Sequence, residues 1–273
     1  MARLAATDTG RGSSRLVEPV LDDLGAAANT LLAGTAGVIG IITGFYIPRA
    51  RPPAAETDGP LGAALLADTL IRLGWAVDVV TDDRCLPVVR AGLEAVGQDG
   101  ARARAWSGRE APDWTHALSV ERVGRTSDGT YRNMLGADIT DATAPLDVLF
   151  EAVGGPRIAV GDGGNEIGMG RLDPGLVAAT VESGARIRSV VDCDHLIVAG
   201  TSNWGAYALA ALLTAETGLD PRALSEQTSR QALDGLVAAG AVDGVSAVSE
   251  PTVDGLAWDE YWRVPGQVLA LLF

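Results

Sequence analysis

The stretch GDGGNEIGMG, residues 161–170, carries the densest chemistry in this 273-residue chain. Gly161, Gly163 and Gly164 surround Asp162, so the backbone can approach a ligand closely and aim its amides at an anion. Asp162 and Glu166 bring two carboxylates to those amides, with Asn165 beside them. Such a pair can move a proton, hold an ammonium group or ligate a divalent cation. The bland alternative is a tight strand-to-helix connection with solvated acids. The spacing does not match the GxGxxG dinucleotide fingerprint in register.

Three further clusters share this character. In ETDGPLGA, residues 56–63, Asp58 suits a helix N-cap and Pro60 the first turn. Glu56, Thr57 and Gly59 then stand with free helix amides that could receive a substrate carboxylate. SNWGAYALAALL, residues 202–213, starts a long helix capped by Ser202 or Asn203, with Trp204 either facing the same edge or packing beneath the loop. ERVGRTSDGTYRNMLGADIT, residues 121–140, is too polar and turn-rich for a core element. It offers Glu121, Tyr131 and Asn133 together with Arg122, whose fork suits a carboxylate. A long loop of this kind can clamp or cover a site. Asp82 and Asp83, in VTDD, add two acids.

These clusters need a scaffold, and the hydrophobic pattern supplies one. Short apolar strands are expected at Val38–Ile42, Ala76–Val80, His116–Val120, Arg157–Val160 and His195–Ala199. Amphipathic helices alternate with them: Leu16–Ala33, Gly62–Leu73, Leu86–Val96, Pro145–Val153, Leu176–Ser183 and Trp204–Thr217, with two more near 223–239 and 256–272. The alternation predicts a doubly wound, three-layer, Rossmann-like α/β fold, a mostly parallel sheet with helices on both faces. Residues 1–15 read as a loose N-terminal segment and residues 16–273 as a single domain. Every polar or glycine-rich cluster falls just past the C-terminal end of a strand, the edge where open parallel sheets bind ligands. His116 and His195 start strands at the opposite edge and read as structural.

Composition narrows the function. Acids number 35 against 21 bases, a formal net charge of −14, which repels nucleic acid and anionic lipid. All the bases are Arg; with no Lys, pyridoxal-phosphate (PLP) chemistry and a Walker-type phosphate loop are excluded. Cys85 and Cys193 are far apart and read as reduced thiols of a cytoplasmic protein, and no signal-peptide pattern is expected. The uncharged stretch from Thr30 to Ile47 approaches a membrane span in length, but its β-branched centre favours a buried strand. The expected partner is therefore a small molecule, an amino acid or lactam, with neither nucleic acid nor membrane; a homo-oligomer is compatible.

In order along the chain, ETDGPLGA, VTDD, ERVGRTSDGTYRNMLGADIT, GDGGNEIGMG and AGTSNWGAYALA resemble the glutamate cyclase domain of the D-glutamate cyclase family, in a stand-alone form, from about residue 36 to about residue 217. The resemblance implies a hydro-lyase that interconverts D-glutamate and 5-oxo-D-proline plus water. For that chemistry Asp162 or Glu166 would transfer the proton. The amides of residues 161–164 would stabilise the oxyanion, and Arg122 or the helix start after Asp58 would hold the α-carboxylate. A divalent cation, Mg or Mn, could replace the amides as electrophile, with Asp82, Asp83, Asp162 and Glu166 as candidate ligands. Two alternatives use the same pocket: an enzyme handling phosphate or nucleotide, and a non-catalytic amino-acid-binding protein. The last 55 residues carry no functional assignment.

Overall fold

A computed structural model describes residues 1–34, 37–108 and 113–273. Its centre is a six-stranded, all-parallel sheet. The strands are β1 (Val38–Thr43), β4 (Ala76–Thr81), β5 (Ala103–Ala105), β6 (His116–Val120), β7 (Arg157–Gly161) and β8 (His195–Val198), in spatial order β5-β4-β1-β6-β7-β8. A small antiparallel pair, β2 (Tyr46–Ile47) with β3 (Ala54–Ala55), stands apart from it. The expected strands are all present. The additional edge strand β5 is three residues of alternating Ala and Arg, too short and too polar for the pattern to reveal.

Side-chain alternation builds the three layers. On one face Ile39 and Ile41 of β1, Leu118 and Val120 of β6 and Ile158 and Val160 of β7 pack on α3 (Asp23–Ala33), α4 (Pro60–Arg72), α5 (Leu86–Ala95), α9 (Ser202–Thr217), α10 (Glu226–Ala238) and α11 (Trp258–Leu272). On the other, Ile42, Ala117, Ala159 and Leu196 pack on α6 (Asp147–Ala152), α7 (Pro174–Thr180) and α8 (Gly184–Ile187). Gly40 leaves that second face of β1 bare, and the Trp114 indole lies where its Cβ would be. No helix among the described residues is long and apolar enough to cross a membrane. Of the uncharged stretch 30–47, Thr35 and Ala36 lie outside the described residues, and its Val38–Thr43 portion is the central strand.

Two expectations about the first 33 residues change. Residues 1–15 are not loose: they contain α1 (Ala2–Ala5) and the start of α2 (Ser13–Leu16), and Ala5 and Ala6 are fully buried. The Gly200 amide donates to the Ala5 carbonyl at 2.8 Å, and the Thr9 hydroxyl donates to the Gly200 carbonyl at 2.8 Å. The continuous helix expected from Leu16 to Ala33 is broken into α2, a 3-10 turn at Glu18–Val20 and α3, because Pro19 has no amide to continue the first helix.

The chain leaves β1 toward β4 and β5, then returns to β6 on β1's other side. The ends of β1 and β6 therefore diverge into connections on opposite sides, the topological switch point where a crevice opens.

Candidate functional site

Two helices that start at this crevice hold each other's ends. The Asp58 carboxylate accepts from the Ser202 amide at 2.9 Å and the Asn203 amide at 2.8 Å, satisfying free donors at the start of α9. In return the Asn203 side-chain oxygen accepts from the Gly59 and Gly62 amides, at 2.9 and 2.7 Å, at the start of α4. Asp58 thus caps the other helix rather than its own, and α9 has Thr201 as its N-cap, not Ser202 or Asn203. Gly59 turns at φ 89°, and a Cβ there would lie 2.7 Å from that of Glu121. Glu121, the first residue past β6, is itself left-handed at φ 45°, a conformation costly outside glycine and concentrated at functional sites.

Around this knot lies a cavity of about 210 Å³. It is lined by Glu56, Glu121, Asp162, Asp254 and Arg11, with Asn133, Asn165 and Glu166 alongside, and by the apolar side chains of Phe45, Ile47 and Met134. Carboxylate oxygens of Asp58, Glu121 and Asp162 all lie within 4.8 Å of one another. The Ser202 hydroxyl donates to Glu121 at 2.5 Å. Arg11 crosses the cluster, donating to Asp162 through one terminal nitrogen and pairing with Asp254 at 2.6 Å through the other.

So many buried acids cannot all ionise. Burial, reinforced by the neighbouring acids, lifts Glu56, Asp58 and Glu121 well above the usual carboxylate range. For Asp58 the Asn203 amide opposes the rise without cancelling it. Burial likewise pushes Asp162 up to about 7 and Asp254 up to about 6, with Arg11 holding both back. Burial disfavours the charged form of Arg11, but Asp162 and Asp254 outweigh it and keep the guanidinium ionised. The cluster thus combines acids biased toward the neutral form, one carboxyl pushed up to about 7 and a fixed cation, a set able to give and take protons.

The glycine loop serves a different purpose from the one its sequence suggested. The amides of Asp162, Gly163 and Gly164 donate to the Glu166 carboxylate at 3.2, 2.7 and 2.8 Å. Glu166 is fully buried, so the loop's amides are committed to an internal anion rather than to a developing oxyanion. What this achieves is placement: the loop from Gly161 onward is locked, and Asp162 is held toward Arg11.

Arg122 does not reach the cavity. Its guanidinium donates to the Gly44 carbonyl at 2.7 Å, Asp82 at 2.8 Å and the Ala144 carbonyl at 2.6 Å, behind the site. Asp82 is committed to that pair and to the Cys85 amide, and Asp83 is exposed, so neither joins the carboxylate cluster. Tyr131 donates its hydroxyl to Asp147 at 2.6 Å, fastening its loop, while Asn133 lines the cavity. Thr57 donates to the Thr252 carbonyl at 2.8 Å, and the Trp204 indole N–H donates to the Tyr261 carbonyl at 3.1 Å; both tie the site to the C-terminal region. His116 and His195 sit at the opposite edge, His195 bonded to Thr30 at 3.0 Å.

Sequence reasoning missed Arg11 and Asp254, which come from near the two ends of the chain. Asp254, at φ 55°, belongs to a turn fixed by Asp243, which accepts from the Thr252 hydroxyl at 2.8 Å and the Gly255 amide at 2.7 Å. The C-terminal residues that had no assignment therefore supply one wall of the site. A local signal existed for Arg11 alone: Asp-Thr-Gly-Arg-Gly at residues 8–12 is turn chemistry around a single Arg.

Comparison with known proteins agrees with the motifs. The family model described as "D-glutamate cyclase-like, C-terminal" matches residues 1–267. The human protein "D-glutamate cyclase, mitochondrial" is 33% identical over 197 residues, covering 63% of this chain and 32% of its own length, so the chain spans about a third of that relative. Among solved structures, RecJ from Thermus thermophilus in complex with Mn2+ aligns with a TM-score of 0.39 at 17% identity, over 88% of this chain and 28% of its own. An exopolyphosphatase-related protein from Bacteroides fragilis aligns with a TM-score of 0.37 at 9% identity, over 92% and 56%. Neither structural likeness bears on function.

Proposed function

We propose that this chain, which belongs to the D-glutamate cyclase-like family, interconverts D-glutamate and 5-oxo-D-proline plus water in the cavity around Asp162. The observation that carries the reading is the company Asp162 keeps: a buried carboxyl within 4.8 Å of the Asp58 and Glu121 carboxyl oxygens and beside the Arg11 guanidinium, its own titration pushed up to about 7 by burial.

Ring closure forms a bond from the α-nitrogen to the γ-carbon and expels one γ-oxygen as water. Two protons must travel from the ammonium to that departing oxygen. Ionised Asp162 takes a proton from the nitrogen, and neutral Glu121 gives one to the oxygen. Oxygen atoms of the two lie within 4.8 Å, a span one water can bridge, and a proton relayed from Asp162 back to Glu121 resets the pair for the second transfer. The reverse hydration runs through the same groups with roles reversed: ionised Glu121 takes a proton from the attacking water and protonated Asp162 returns one to the nitrogen. Holding nitrogen and γ-carboxyl together in a closed cavity lowers the entropic part of the barrier. Asp162 takes the proton-transfer role and Glu166 does not.

A divalent cation fits the same acids. Asp58, Glu121 and Asp162 offer hard oxygen donors of the kind Mg2+ and Mn2+ take, in place of the set expected around Asp82 and Asp83. Bound there, such an ion would polarise the γ-carboxyl. The test is chiral chromatography of product from D-glutamate, L-glutamate and 5-oxo-D-proline, with added Mn2+ or Mg2+ and after exhaustive chelation. Formation of 5-oxo-D-proline above the uncatalysed background is expected. Folded protein that converts neither D-glutamate nor 5-oxo-D-proline under either condition would overturn the reading, and full activity after chelation would remove the cation.

A further inference from the structure

We propose that Arg11 is the carboxylate clamp of this site and the residue that turns an acid-lined cavity into one selective for small amino-acid and lactam carboxylates. The proposal rests on the reading above, that the occupant carries a carboxylate. A ligand of that class needs a cation, and this chain has no Lys. Two cationic side chains, Arg11 and Arg49, line the cavity. Arg49 donates from one terminal nitrogen to the Gly244 and Val245 carbonyls at 2.6 and 2.9 Å, whereas Arg11 is the cation paired with Asp162, the proton acceptor of the reading above. Arg122, the expected clamp, is bound to Gly44, Asp82 and Ala144 behind the site.

Arg11 is built in rather than draped over. The Asp8 carboxylate accepts from the amides of Gly10, Arg11 and Gly12 at 2.9, 3.0 and 2.9 Å, a closed turn that fixes the start of the side chain. Thr9 anchors that turn to the Gly200 carbonyl, on the loop that begins α9. At the far end, Asp162 and Asp254 set the guanidinium plane from two sides. A guanidinium has five N–H donors, and these two contacts engage one on each terminal nitrogen, so donors remain for a ligand. The same contacts put the clamp against Asp162, so a carboxylate held by Arg11 places the attached nitrogen beside the proton acceptor. Without Arg11 the carboxyls of Asp162 and Asp254 would lose the guanidinium paired with them, and the acid cluster would favour a cation over a carboxylate.

Calorimetry on the full chain tests this with two lactams, 5-oxo-D-proline and 2-pyrrolidone, which differ by the carboxylate alone. For Arg11→Ala, folded by circular dichroism, 5-oxo-D-proline affinity is expected to fall by about 30-fold or more. Affinity for 2-pyrrolidone should stay within about twofold. Arg11→Lys, which keeps the charge but loses the fork, should bind 5-oxo-D-proline with intermediate affinity. KM for D-glutamate should rise more than kcat falls, and added guanidinium should partly restore binding to Arg11→Ala. Unchanged 5-oxo-D-proline affinity in Arg11→Ala, or equal losses for both lactams, overturns the clamp. Binding that depends on Arg11 without turnover sinks the cyclase reading alone; turnover with an unaltered KM in Arg11→Ala sinks the clamp alone. Wild-type protein that binds neither D-glutamate nor 5-oxo-D-proline sinks both.

Discussion

Replacing Glu166 by Gln separates a structural carboxylate from a catalytic one. Glu166 is fully buried and accepts three amides, at 3.2, 2.7 and 2.8 Å. Gln keeps one acceptor oxygen for the Asp162 and Gly163 amides but turns an NH2 toward the Gly164 amide, donor against donor. A hydrogen bond to a charged group contributes about 1.5–3 kcal/mol, and an orphaned buried donor costs about 1–3 kcal/mol. The two retained bonds also lose their charge assistance, so the loss comes to about 3–5 kcal/mol. For a domain of this size each kcal/mol moves Tm by about 2–4 °C, giving a fall of about 6–20 °C. Asp162→Asn should leave Tm within about 4 °C, since Arg11 keeps Asp254, while turnover falls by about 10²–10⁴-fold. Differential scanning calorimetry and the chiral product assay, run on both variants, decide the matter. Glu166→Gln with wild-type Tm and abolished turnover would refute the assignment and return Glu166 to the chemistry.

Three further outcomes follow from the same geometry. Asn203→Ala removes the cap on the Gly59 and Gly62 amides and should cost about 1–2 kcal/mol in urea unfolding, while loosening the turn beside Glu121. Arg122→Met strands buried Asp82 and should cost about 3–5 kcal/mol, showing as poor folding rather than as a selective rise in KM. In metal-free protein, Asp162 and Asp254 bind protons more tightly folded than unfolded, because burial raises them from 3.8 to about 7 and about 6. Native chains then hold more protons than unfolded ones between about pH 4 and 7, so stability falls as pH rises through that window. Thermal melts from about pH 4 to 8 should show the decline and Asp162→Asn should flatten it; a Tm that climbs across the window would contradict the burial argument.

The parts of the molecule that were legible in the sequence are those whose physics is local. Strand cores such as Val38–Thr43 announce themselves by β-branched apolar residues, and the loops after them by glycine and acid at each strand end. Carboxyl partners were not legible, because a side chain's partner is set by the whole fold. Asp58 looks like the cap of the helix that follows it, yet its two acceptors face a helix 144 residues on, and Asn203 returns the contact. Glu166 looks like half of a catalytic pair until the three amides around it are counted. Arg122 looks like a free fork because nothing nearby in sequence says that Asp82, 40 residues earlier, will meet it. Arg11 and Asp254 stand outside every motif, and the ion pair between them closes a loop that no window of sequence contains.

That ion pair also explains why so acidic a cavity is compatible with a folded protein. Glu56, Asp58, Glu121, Asp162 and Asp254 converge on one guanidinium, and burial keeps three of the five well above the usual carboxylate range. Burial and mutual repulsion disfavour full ionisation of the five, and the same shift leaves them able to give and take protons. Asp162 shares Arg11 with Asp254, so any ligand carboxylate that draws on the guanidinium weakens its hold on both. Asp162 then becomes a stronger base as its cation is engaged elsewhere. In this site the ligand's own carboxylate, arriving at Arg11, raises the basicity of the group that must take the proton from its nitrogen.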